Sequence, residues 1–257
     1  MIHKTAIVSN KAEIGPDVEV GPYSIIGDRV SIGRGTTIGP HVVIKGPTTI
    51  GEHCRFFQFC SIGEIPQDLK FKDEDSELVI GSNNTFRECV TINRGTAGGG
   101  GKTVLKNNIF IMAYAHVAHD CRIGNNAIMA NNVSLAGHIH LDDYAIIGGY
   151  VGIHQFVRIG SLAMIGGMTG VSKDIPPFTI ANGQRATLHG LNLTGLKRAG
   201  FSPETIRELK TAYRLFFRSG MTIKKALEQI AAEGLHSSEV RKLVEFIQNS
   251  ERGVARE

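Results

Sequence analysis

An apolar side chain returns at every sixth residue through most of this chain. Ile14, Val20, Ile26, Ile32, Ile38, Ile44, Ile50, Phe56 and Ile62 make one run, and Ile80, Phe86 and Ile92 make a second. A third run holds the same spacing from Leu105 through Ile123, Leu135, Ile147 and Ile159 to Val171. The fourth residue after each anchor is small or β-branched, as at Val18, Thr36, Cys54, Ala115, Cys121 and Val133. Glycine often follows the anchor directly, as at Gly15, Gly33, Gly51, Gly124 and Gly166. A period of six is neither 3.6 nor 2, so no single helix or flat strand satisfies it. A coil of three short strands joined by tight corners does. Anchors then fill a triangular core, small residues fill the space beside them, and glycines sit where backbone crowds or turns. Stacked coils pair their strands in parallel at ~4.8 Å, which makes a parallel β-helix, a solenoid. At about three hexads per coil, residues 2–176 predict a prism of roughly 40 Å.

The periodicity has two interruptions and one end. Residues 64–78 and 95–104 read as loops leaving the prism, where solenoids often build binding surfaces. The second carries Gly98-Gly99-Gly100-Gly101-Lys102-Thr103, superficially a phosphate loop. It lacks the Gly-x-x-x-x-Gly-Lys-Ser/Thr spacing and runs into Val104-Leu105 rather than a helix, so the nucleotide-hydrolase reading is rejected. Beyond Pro176-Pro177 a helical pattern begins, with starts at Ser202-Pro203, Thr222 and Ser237 or Ser238. The expected organisation is mainly β: a β-helix over 1–187 and a C-terminal α-helical domain over 188–257.

Composition narrows the function classes. No apolar run approaches the ~20 residues of a membrane span, and the start lacks a secretory apolar region. Cys54, Cys60, Cys89 and Cys121 form no Cys-x-x-Cys, and three occupy small-residue slots of the hexads. A reducing, cytoplasmic setting fits. Residues 190–257 hold 12 Lys/Arg against 8 Asp/Glu, the same excess as the whole chain's net +4. That patch suits an acidic partner. The aromatic residues among these helices fall on the apolar stripe, which argues against base stacking and nucleic acid.

In an 18-residue coil, residues 18 apart stack one strand spacing apart. His119, Gly137 and Gln155 share one column, and Asp120, His138 and Phe156 the next. His116 and His154 lie nearby along the chain. Two chemistries fit this edge. His119 as a general base, supported by Asp120, has a glycine N–H above it for an oxyanion. Alternatively, three histidines bind catalytic zinc, as in carbonic anhydrases built on this prism. The base is preferred, because these spacings do not obviously aim three imidazoles at one point.

The segments Ala113-Tyr114-Ala115-His116-Val117-Ala118-His119-Asp120-Cys121, Leu135-Ala136-Gly137-His138 and Val151-Gly152-Ile153-His154-Gln155-Phe156 carry a resemblance. So do Gln67-Asp68-Leu69-Lys70 and the stretch from Gly190 to Arg198. Together they closely resemble the acyl-[acyl-carrier-protein]–UDP-N-acetylglucosamine O-acyltransferase family of lipid A biosynthesis, over essentially the whole chain. The resemblance implies a left-handed parallel β-helix, a homotrimer with sites between prisms, and direct acyl transfer without a cofactor. It implies that His119 is the base, that Gly137 N–H is the oxyanion donor, and that Asp120 supports the base. His116, His138, His154 and Gln155 match positions lining the sugar nucleotide and acyl chain, and Asp68 and Lys70 match contacts near the glucosamine. Asn192 and Arg198 match residues reaching the nucleotide from an adjoining chain. Gly167 matches the far end of the acyl groove, which implies long chains. The basic patch then meets acidic acyl carrier protein. Asn93, where the family commonly has His, and Thr194, where a carboxylate is frequent, depart from the pattern. They leave a 3-hydroxy or a 3-amino UDP-sugar open as acceptor.

Overall fold

The computed structural model describes residues 1–257. Three parallel sheets of nine, eight and ten strands form the faces of a prism. Most strands are only two residues long, because each covers one side of one coil. Successive coils stack anchor on anchor, as in Ile26 beside Ile44 and Ile44 beside Ile62. Every anchor from Val20 to Val171 is buried, and these side chains run as one continuous core along the prism axis. Burying one such aliphatic side chain contributes about 1.5–3 kcal/mol, so the repeat is also the main source of stability.

The small-residue slots behave as the periodicity requires. Ser24 Oγ donates to Gly39 O and accepts from Val42 N, so even a polar occupant is satisfied within the wall. Cys54, Cys60 and Cys121 lie in the same slots, each Sγ against a carbonyl of the next coil. Burial pushes the Cys60 and Cys121 thiols up to about 12, so both are inert packing groups.

Glycine and corner have separate roles. The glycines after the anchors are needed for close approach: a Cβ on Gly33 would lie 2.6 Å from the backbone of Gly51 one coil above. The left-handed backbone of the corners is instead carried mostly by other residues, among them Tyr23, Asn126, Asp120, His138 and Phe156. Each such residue costs roughly 1–2 kcal/mol, which the coil above and below must offset. The result is a set of side chains projecting outward in columns along each edge.

Both loops are shorter than the expected ranges, covering 65–76 and 94–101 between ordered strands. Glu77 and Lys102, which read as loop on polarity, are ladder partners joined by an ion pair. Residues 179–191 hold an antiparallel hairpin (Thr179–Asn182 with Thr187–Leu191) that joins the ten-stranded sheet. A division at 187/188 therefore falls inside a strand. Helices follow at α1 (Leu193–Arg198), α2 (Pro203–Phe217), α3 (Ile223–Ala232) and α4 (Ser238–Gln248). Ser202, Thr222 and Ser237 cap the last three as the sequence implied, and their apolar faces form a second core. The chain end then returns to the prism: Val254 bridges Asp174, and Ala255 joins the main core.

Gly33→Ala is expected to lower the unfolding free energy by about 1–3 kcal/mol through overpacking. Gly152→Ala, whose added methyl meets nothing within 4 Å, is expected to stay within ~0.5 kcal/mol. Denaturant unfolding of the two variants checks the contrast.

Candidate active site

One cavity of about 1360 Å³ lies along the outer face of the nine-stranded sheet. Its floor is a ladder of residues in strict register, His116, Ser134, Gly152 and Gly170. The shrinking side chains leave a groove along the prism. The corner residues His119, Gly137, His138, Gln155 and Phe156 form one wall, together with His154. Asp68 and Lys70 reach the cavity from the first loop, and Tyr150 and Met168 from the opposite corner. The columns expected from 18-residue spacing are therefore real, and they converge on one groove.

At its centre lies a built pair. Asp120 is buried, and its Oδ2 accepts from His119 Nδ1 at 2.7 Å. Thr96 N donates to Oδ1 at 2.9 Å, and Thr96 Oγ1 donates to Oδ2 at 2.7 Å. Burial pushes the Asp120 carboxyl up, but hydrogen bonds from His119 and Thr96 outweigh it and hold it below the usual range. A carboxylate can only accept, so the neutral His119 ring carries its proton on Nδ1, the tautomer whose Nε2 lone pair is free. The Cε1–Nε2 edge lies against Gly137: a Cβ there would sit 2.5 Å from Cε1 and 2.7 Å from Nε2. No protein atom accepts the Gly137 N–H. An imidazole with an available lone pair beside an unused donor suits proton abstraction coupled to oxyanion stabilisation.

The neighbouring imidazoles are held differently. His138 stacks on Phe156 (4.4 Å between centroids) and meets His119 edge-on at 5.1 Å. Burial pushes its proton affinity down, which the Asp120 charge only partly offsets. Burial, with some help from His119, also pushes His116 down, and its Nδ1 lies 2.7 Å from Thr91 Oγ1. His119, Asp120 and His138 bring one ligand atom each within 4.8 Å of one another. That is two imidazoles and a carboxylate whose oxygens already accept three hydrogen bonds, not the three imidazoles the zinc reading needs.

Comparison with known proteins identifies the family. The family model described as "Udp N-acetylglucosamine O-acyltransferase; Domain 2" matches residues 174–255, and "Bacterial transferase hexapeptide (six repeats)" matches 11–46 and 102–137. The acyl-[acyl-carrier-protein]–UDP-N-acetylglucosamine O-acyltransferase of Thermodesulfovibrio yellowstonii is 54% identical over 255 residues, covering 99% of each chain. The chain belongs to this O-acyltransferase family. The solved structure of LpxA from Acinetobacter baumannii superposes with a TM-score of 0.97 at 45% identity, over 99% of each chain. LpxA from Bacteroides fragilis, a UDP-N-acetylglucosamine acyltransferase, does so with 0.97 at 44% identity over the full length of both. The coil is accordingly left-handed, against the general preference for right-handed crossovers. No helix is long and apolar enough to cross a membrane.

Besides the buried Asp120, three expected site residues, Asn192, Arg198 and Gly167, do not line the groove of this acyltransferase chain. Asn192 is buried, its Oδ1 accepting from Gly195 N to cap α1 and its Nδ2 donating to Leu162 O. Arg198, at the end of the same helix, is exposed. Gly167 lies at the corner directly before Met168, which does line the groove. Asn93 is buried beneath the first loop, donating to Ile65 O at 2.9 Å, and Thr194 is exposed on α1. Neither departure from the family motif lines the cavity of its own chain. Ser134 and Gly170 are groove residues outside the expected set, and extending the His116 column in steps of 18 reaches both.

Both histidines have folded-state proton affinities below their unfolded values, so the unfolded chain binds more protons as pH falls below about 6.5. Stability should fall between pH 7 and 5, and His116→Gln with His138→Gln should flatten part of that slope. Urea unfolding across this range measures it.

Proposed function

We propose that this chain transfers a 3-hydroxyacyl group from acyl carrier protein to the glucosamine 3-hydroxyl of UDP-N-acetylglucosamine, the first step of lipid A biosynthesis. The observation that carries the reading is the Nε2 edge of a carboxylate-held imidazole against a glycine with an unused N–H. His119 Nε2 takes the proton of the sugar hydroxyl as that oxygen bonds to the thioester carbonyl carbon. The Gly137 N–H donates to the oxyanion, and Asp120 stabilises the imidazolium. Collapse breaks the carbon–sulfur bond, and His119 returns the proton to the departing phosphopantetheine sulfur. No cofactor enters this sequence.

Asp68 and Lys70 contact the glucosamine from the first loop, while His116, His138, His154 and Gln155 line the path of the nucleotide sugar and acyl chain. Gly167 sets the groove's far end together with Met168, leaving room for chains longer than ten carbons. Arg198 reaches the nucleotide on an adjoining chain, and Asn192 fixes the helix that presents it. A hydroxyl acceptor is favoured over the 3-amino sugar, since Asn93 lies away from the cavity and the relatives are O-acyltransferases. The basic C-terminal segment steers the acidic carrier protein, so association slows as salt rises.

Offering carrier proteins loaded with 3-hydroxyacyl chains of several lengths, with UDP-N-acetylglucosamine or its 3-amino analogue, tests the assignment by mass spectrometry. The expected product is an O-acyl ester with a chain longer than ten carbons. His119→Ala is expected to lose turnover by ~10²–10⁴ or more while keeping its fold.

The homotrimer finds support on the ten-stranded sheet. Phe110, Ile128, Ile146 and Met164 stack in register on its outer face, an apolar row half-buried at its first two members and exposed at Ile146 and Met164 in one chain. Ile146→Glu is expected to convert trimer to monomer in sedimentation and to abolish transfer with it. A wild-type monomer retaining full activity would contradict the shared site.

A further inference from the structure

The glycine-rich loop lacks the spacing of a phosphate loop, yet its placement is specific. Thr96 opens it and spends both its backbone N–H and its hydroxyl on the two carboxylate oxygens of Asp120. Thr103 follows it, and its Oγ1 accepts the backbone N–H of Asp120 at 2.8 Å. Between them, residues Ala97–Gly99 form one 3₁₀ turn capped by Thr96. A Cβ on Gly99 would land on the carboxyl carbon of Asp120. Gly99 is thus glycine because its Cα rests on that group. Gly98 beside it has nothing nearer than 4.0 Å and no such constraint. The loop leaves the Asp120 side chain 1% exposed, while His119 keeps 13%.

We propose that the 95–101 loop is a carboxylate clamp, in which Thr96 and Gly99 are positioning residues that hold Asp120 so that it holds His119. The proposal rests on the reading of His119 as the base. Its physical content is geometric. Oδ2 receives two hydrogens, one from Thr96 and one from His119, so the hydroxyl fixes where the imidazole N–H can be met. The backbone donor on Oδ1 removes the remaining rotation about the carboxyl bond. The glycine contact excludes water from the group, which strengthens the His119–Asp120 bond. Without the clamp, Asp120 keeps its place on the corner but loses the orientation that selects the Nδ1–H tautomer of His119. The clamp acts on the chemical step and not on substrate affinity, because neither Thr96 nor Gly99 lines the groove.

The test compares Thr96→Val, Thr96→Ser, Gly99→Ala, Gly98→Ala and His119→Ala in steady-state transfer from a 3-hydroxyacyl carrier protein to UDP-N-acetylglucosamine. Thermal unfolding is recorded for each. Thr96→Val and Gly99→Ala are expected to lower kcat by about 10–100-fold with the KM for the sugar nucleotide unchanged. Thr96→Ser restores the hydroxyl and should restore kcat, and Gly98→Ala should match wild type in both constants. Wild-type kcat in Gly99→Ala overturns the clamp, as does a loss in Thr96→Val that appears in KM or is not rescued by serine. Should Thr96→Val fail to fold, Gly99→Ala decides alone. Full turnover in His119→Ala would overturn the base reading itself, a separate outcome.

Discussion

Parallel pairing of each coil on the next converts distance along the chain into columns in space. Where no loop intervenes the offset is 18 residues, so His116 meets Ser134 and Ser134 meets Gly152 on one face. At the adjoining corner the same offset presses Gly137 onto the His119 imidazole, closer than any side chain would allow. The chemistry therefore depends on wall-to-wall contact between coils, held by the buried anchors. A slip of one residue in this register would turn every anchor out of the core. The energy that keeps the prism together and the geometry that keeps the imidazole beside its donor are the same.

The loops complete what the columns cannot. Strands of two residues carry few side chains, and a corner can project a carboxylate but cannot enclose it. The two excursions supply the missing walls: the first brings Asp68 and Lys70 to the groove, and the second covers Asp120. They are also tied together, through the Glu77–Lys102 ladder pair and through Gly95 N, which donates to Glu77 O. Asn93 and Arg94 serve the same purpose from below, donating to Ile65 O and Gly46 O. Substrate contact and support of the base thus grow from neighbouring insertions on a uniform scaffold.

Much of this was legible from spacing alone, because a repeat that fixes burial also fixes vertical neighbours. The columns His119–Gly137 and Asp120–His138–Phe156, the packing cysteines and the caps at Ser202, Thr222 and Ser237 all follow from local rules. The hairpin at 179–191 did not, since the hexads have stopped and its pairing is with a strand fixed earlier in the chain. The role of Thr96 was equally hidden: a loop breaks the period, so no count of residues places it over Asp120. Corner conformation was half legible: glycines were expected where backbone crowds or turns, and they mainly permit coils to touch, while other residues take the left-handed corners. Asn192, read through resemblance as a nucleotide contact to an adjoining chain, also caps a helix that periodicity missed.

Gly137→Ala tests the central claim most directly, since one methyl intrudes between the imidazole and the donor without adding charge. The measurement is the single-turnover rate of acyl transfer at saturating UDP-N-acetylglucosamine, with nucleotide-sugar binding and thermal unfolding followed in parallel. The expected result is a folded protein that binds the sugar nucleotide normally and transfers the acyl group at least ~100-fold more slowly. A variant transferring at the wild-type rate would show that neither the contact nor the N–H takes part in the reaction.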